Sequence, residues 1–175
     1  VAGVVPADLQ KCLCCLAFLL RPSSVAFPLA CAMGGGKVNF PADCPPFTVE
    51  FPADWTYKAD KDGNLDCETN DKTDYVFSIL ILKDIHDAKE LKTALPLVAK
   101  SMADGMKMKT FELGDVDTDK NGNEVTFTGI RGDGKVDGVD FVVFVHAFEP
   151  QKGKFYAIVT AGTKKADALH VKQYD

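Results

Sequence analysis

The run Asp117-Thr118-Asp119-Lys120-Asn121-Gly122 carries oxygen-bearing side chains at alternate positions and a glycine at the sixth. Hard cations want clustered oxygens, and a calcium loop uses positions 1, 3 and 5 with glycine at 6. Asp117, Asp119 and Asn121 are therefore the metal candidates of this chain. The pattern stops half-way. Position 12 is Thr128, where a bidentate glutamate belongs, and Val125-Thr126-Phe127-Thr128 alternates as a strand does. A hairpin turn at Asn121-Gly122 explains the same residues and is favoured over calcium.

Other reactive residues stand apart from one another. His146 lies among Val142, Phe144 and Phe148, where a satisfied or strand-end histidine is expected rather than a catalytic one. His86 sits beside Asp84 and Asp87; as a general base it needs a nucleophile, and the sequence names none. There is no Gly-x-Ser-x-Gly, His-Glu-x-x-His, phosphate loop or dinucleotide glycine motif. Gly34-Gly35-Gly36-Lys37 lacks a following Ser/Thr and reads as linker. Arg131-Gly132-Asp133 is an integrin-type tripeptide, but tripeptides arise by chance, and Gly132, Asp133 and Gly134 read as turn residues. Trp55 stands near Phe47, Phe51 and Tyr57. Core packing is the favoured reading of this group, with Trp55 and Tyr57 as an exposed anchor for a partner protein the other. These residues predict no enzyme and no cofactor.

The elements that must position these groups follow from periodicity. Phe47–Phe51 alternates as a half-buried strand, Pro52 ends it, and Trp55-Thr56-Tyr57 opens a second short strand. Tyr75–Leu82 is apolar on both faces, Tyr75, Phe77, Ile79 and Ile81 against Val76, Leu80 and Leu82. Such a strand belongs inside a sheet covered on both sides. Asp87 and Glu90 form a capping box, and Leu91, Leu95, Val98 and Met102 make one apolar helical stripe, kinked at Pro96. Lys109–Val116 and Glu124–Ile130 flank the Asn-Gly turn, Arg131–Gly138 is a second turn, and Phe141–Phe148 and Phe155–Ala161 are strands. Thr163 caps a last helix, which reads as truncated at Asp175.

The chain has 175 residues, 46% apolar and 26% charged, which suits one globular domain. Its net charge of −5 argues against a sequence-independent nucleic-acid grip, which needs a basic face. Residues 1–32 differ from the rest: they hold four of the six cysteines and only Asp8, Lys11 and Arg21 as charges. Cys12, Cys14 and Cys15 have no second pair to complete a zinc site. The apolar run Cys12–Leu20 is far short of the roughly 20 residues of a membrane span. Three readings of this segment stay open: a secretory signal cleaved near Ala30-Cys31-Ala32, a lipoprotein signal with Cys31 lipidated, or a true start at Met33. The expected organisation is a leader and linker over 1–39 and a single α+β domain over 40–175. Export to a bacterial periplasm or cell envelope is expected, or the cytoplasm if the chain starts at Met33. Cys44 and Cys67 would pair in an oxidising compartment and stay free in a reducing one.

The segment Phe51-Pro52-Ala53-Asp54-Trp55, following an aromatic-rich strand, and Lys154-Phe155-Tyr156-Ala157-Ile158-Val159, followed by a helix, resemble the PsbP-like family. The resemblance covers roughly residues 40–175. It implies an α/β/α sandwich around one mostly antiparallel sheet of about six strands, and a non-enzymatic accessory or protein-binding role. The alternative is an envelope protein that binds a small ligand between helix and sheet.

Overall fold

Every second residue of Tyr75–Leu82 enters a different core, and the rest of the molecule is arranged around that division. The computed structural model describes residues 33–40, 47–69, 75–120 and 125–170. Nine strands run through them: β1 (Met33–Phe40), β2 (Phe47–Ala59), β3 (Leu65–Thr69), β4 (Tyr75–Leu82), β5 (Lys109–Leu113), β6 (Asp117–Lys120), β7 (Thr126–Val136), β8 (Val139–Gln151) and β9 (Lys154–Thr163). Two helices accompany them, α1 (Ala88–Gly105) and α2 (Lys164–His170). The strands form one sheet in the order β1-β2-β3-β4-β9-β8-β7-β5, every pairing antiparallel. The outer edge of β7 carries β6 along residues 126–129 and β5 along 132–135.

This corrects the expected α/β/α sandwich of about six strands. Among the described residues the sheet has nine strands, and only one of its faces carries a full helix. On that face Leu91, Leu95, Val98 and Met102 of α1 pack on Leu80 and Leu82 of β4 and on alternate residues of β8 and β9. The opposite face is covered by side chains instead: Phe51, Trp55, Tyr75, Phe77, Phe148 and Tyr156 form an aromatic core, closed by the two-turn α2 through Ala166. Large rings packed on one another, with α2 beside them, exclude water from that face without a second long helix.

Local chemistry sets the helix ends. Asp87 accepts the N–H groups of Lys89 and Glu90, and the Glu90 carboxylate reaches back to the His86 N–H at 2.8 Å. Thr163 accepts the Ala166 N–H at 3.1 Å, so the expected caps of both helices stand. The helix continues through Pro96, which sits within its 18 residues.

Three expectations fail for non-local reasons. Pro52 does not end a strand; β2 runs unbroken for 13 residues. The β1–β2 register jumps between Gly34↔Thr56 and Gly36↔Phe51, and Pro52 falls in that gap, where no ladder bond is demanded of it. The glycine segment read as linker is β1 itself. Arg131–Gly138 is not a turn but mostly β7; the turn is the two-residue Asp137-Gly138, both at positive φ (48° and 87°), between Val136 and Val139.

A polar bridge fastens the β2–β3 hairpin. Asn64, 2% exposed, accepts the Ile81 N–H on Oδ1 and donates from Nδ2 to Asp60. Beside it Ser78 donates to Asp66 at 2.8 Å, and burial pushes the Asp66 carboxyl above its ordinary range. The Cys67 thiol is free and buried, and that burial pushes its pKa far up, so it is an inert apolar group. Cys44 lies outside the described residues.

Candidate functional site

On the sheet face opposite α1, strands β7, β8 and β9 run side by side, and among the described residues no helix lies over much of their length. The uncovered stretch is a groove of about 760 Å³. Strand alternation decides what it presents. Phe127, Gly129 and Arg131 of β7 share one side, because residues two apart point the same way. In register with them stand Phe148, His146 and Phe144 of β8, and beyond these Ile158 and Thr160 of β9. Phe127 stacks with Phe148 at 5.2 Å and closes one end against the aromatic core. At the other end α2 contributes Asp167, and along the side β6 contributes Asp117 and Asp119.

Gly129 shapes the floor. It lies opposite His146, and its missing side chain leaves room for the imidazole to lean over β7. The ring opens to solvent within the concavity, yet the surrounding walls desolvate it and hold its pKa below the ordinary histidine value. His146 is therefore neutral at pH 7 and offers one donor and one acceptor.

Arg131 forms the firmest polar contact of the groove. Its guanidinium forks onto Asp133, Nε to Oδ2 at 2.9 Å and Nη2 to Oδ1 at 3.1 Å, and lies 5.1 Å from the centre of the Phe144 ring. Lys164 at the start of α2 joins the same carboxylate at 3.2 Å. The hydrogen bond from Arg131 holds Asp133 below its usual pKa, while burial raises that of Asp167. Each exposed pair contributes little, up to about 1 kcal/mol. The Lys164 pair ties the first turn of α2 to β7.

The expected site residues are placed as follows. Trp55 is 1% exposed, packed against Phe77 at 5.5 Å and the His170 ring at 5.7 Å; it is core, as the favoured reading had it, and not a surface anchor. Tyr57 is half-buried and stacks on Phe51 at 5.2 Å. Asp117 and Asp119 are exposed on β6, paired to Gly129 and Phe127 of β7, as the hairpin reading requires. Asn121 lies outside the described residues, as does the Asn121-Gly122 turn. Among the described residues no group of three or more His, Cys, Asp or Glu side chains could hold a metal ion. The tripeptide Arg131-Gly132-Asp133 sits in the middle of a strand, its two charges engaged with each other.

Sequence reasoning weighed Asp117 and Asp119 together as part of a cation loop, and His146 and Arg131 each on other grounds, and did not join these three. Asp167, Thr160 and Ile158 escaped it altogether. The available signal was the alternation of Phe127, Gly129, Arg131 and Asp133, which puts two aromatic-compatible and two charged positions on one strand face. Among the described residues no helix is long and apolar enough to cross a membrane. No family model matches this chain and no curated protein matches it, and neither comparison identifies the PsbP-like family.

Proposed function

We propose that this chain is a non-enzymatic binding domain whose β7–β9 groove holds a small organic ligand. One observation carries the reading: an apolar floor of Phe127, Phe144 and Ile158 with polar groups converging at its rim, in a volume suited to a small molecule. The aromatic-anchor form of the protein-docking reading needed Trp55 at the surface, and Trp55 is in the core. Among the described residues, no nucleophile and orienting carboxylate are arranged with the groove's histidine in hydrogen bonds, which favours binding over turnover. The acidic rim would repel nucleic-acid phosphates. Export to the cell envelope accompanies this proposal, on the apolar run Cys12–Leu20 and Ala30-Cys31-Ala32; intact mass of the protein from its host separates cleavage from lipidation of Cys31.

The test is fluorescence of the uncharged dye Nile red with the full chain. Enhancement with native protein, weakened several-fold by Phe144→Ala, supports the reading. No enhancement, or enhancement that Phe144→Ala leaves unchanged, contradicts it. Hydrolase or transferase turnover abolished by His146→Gln would overturn the non-enzymatic assignment.

A further inference from the structure

The charge around the groove selects among ligands. Asp115, Asp117 and Asp119 line one side and Asp167 the other. Two cations are present among the described lining residues, Lys120 and Arg131. Arg131 is compensated by its fork onto Asp133, and the Phe144 ring lies beside it. Lys164 shares the Asp133 carboxylate and Arg131 also faces Asp167, so that end is close to balanced; at the other, Lys120 is the one cation among the described lining residues against Asp115, Asp117 and Asp119, and the rim there is anionic. His146, at the centre and neutral near pH 7, does not offset it. A concave site with apolar walls strengthens such a field relative to open solvent.

We propose, resting on the ligand-binding reading above, that the groove takes an organic cation: a protonated amine carried on an apolar body. The body lies on Phe144 and Ile158. The ammonium faces Asp117 and Asp119, away from Arg131, with the His146 ring nitrogen and the Thr160 hydroxyl as further acceptors. The same arrangement disfavours an anion of equal size, because a carboxylate would meet the aspartates with Arg131 already engaged.

Three indoles of similar size separate charge from shape: tryptamine (cation), tryptophol (neutral) and indole-3-propionate (anion). Each is titrated calorimetrically into the full chain at pH 7 and low salt. Tryptamine is expected to bind about tenfold more tightly than indole-3-propionate, with tryptophol between. Asp117→Asn/Asp119→Asn, at exposed positions, weakens tryptamine about threefold and leaves tryptophol unchanged, and Asp167→Asn, beside Arg131, has a smaller effect. If indole-3-propionate binds as well as tryptamine, or the aspartate variants leave tryptamine unchanged, the cation proposal is overturned. The groove reading survives that outcome as long as Phe144→Ala still abolishes binding. If none of the three binds at millimolar concentration, or binding ignores Phe144→Ala, both fail.

Discussion

Gly129 and His146 face each other across β7 and β8, and a Cβ at position 129 would stand 2.5 Å from His146 Cδ2 and 3.1 Å from Nε2. The imidazole therefore occupies the space that any other residue at 129 would fill, and the groove owes its floor to this exchange. Gly129→Ala forces the ring off β7. Unfolding by urea should show a loss of about 1–3 kcal/mol, the usual cost of overpacking. Removing the ring as well, in Gly129→Ala/His146→Ala, should return stability to that of His146→Ala or above it, because alanine in a strand has less conformational freedom to lose than glycine. Additive losses in the double variant would contradict the contact.

The position of His146 also predicts a pH dependence. Desolvation by the groove walls lowers its folded-state pKa below the unfolded value of about 6.5. Below about pH 6.5 the unfolded chain then binds more protons than the folded one, so stability is full above that pH and falls as the pH drops toward the folded pKa. The groups facing the ring are Asp117, Asp119 and Lys120 from β6, Arg131 from β7 and Asp167 from α2. His146→Gln should flatten the part of the stability profile between pH 7 and 5.5. A His146 Cε1–H resonance titrating at or above the ordinary value would refute this.

Trp55 is the chain's single tryptophan, so its emission reports one site. At 1% exposure, between Phe51, Tyr75 and Phe77, it should emit to the blue and resist acrylamide quenching until the protein unfolds. Trp55→Ala should cost about 3–5 kcal/mol. Red-shifted, readily quenched emission from the native chain would restore the surface-anchor reading.

Gly132 serves the other face as Gly129 serves the groove. A Cβ there would stand 2.2 Å from Phe111 Cζ and 2.5 Å from Cε2, so the β5 ring lies directly on the β7 backbone. Gly132→Ala should displace Phe111 and loosen the β5 edge, with a loss of about 1–3 kcal/mol in urea unfolding and faster amide exchange in 109–113 than elsewhere. Unchanged exchange there would show that the ring has other room.

What the sequence disclosed was local. The two-faced pattern of β4 and β8 and the Asp87 and Thr163 caps depend on neighbours within a few residues, and each matches the fold; the strand expected over Lys109–Val116 is instead split into β5 and β6, and it is β6 that pairs with β7 next to the Asn121-Gly122 position. What it hid was set by distant partners. Pro52 passes through β2 because the shift in β1 leaves it without a ladder bond to make. Gly132 and Gly134 read as turn residues, but their missing side chains make room for Phe111 and Met108 on a straight strand. The count of about six missed β1, read as linker, and β3 and β6, which local alternation did not mark as strands. The groove was visible only in pieces: Asp119, His146 and Arg131 lie up to 27 positions apart, and only the β6–β7–β8 register brings them to one concavity.

The most direct test of the account is the His146 imidazole resonance followed while tryptamine is added at pH 7. The account predicts a saturable shift of His146, with His86 at the start of α1 unmoved and a much weaker response to indole-3-propionate. A His146 signal that stays fixed through millimolar tryptamine, or that shifts equally with the anion, would contradict it.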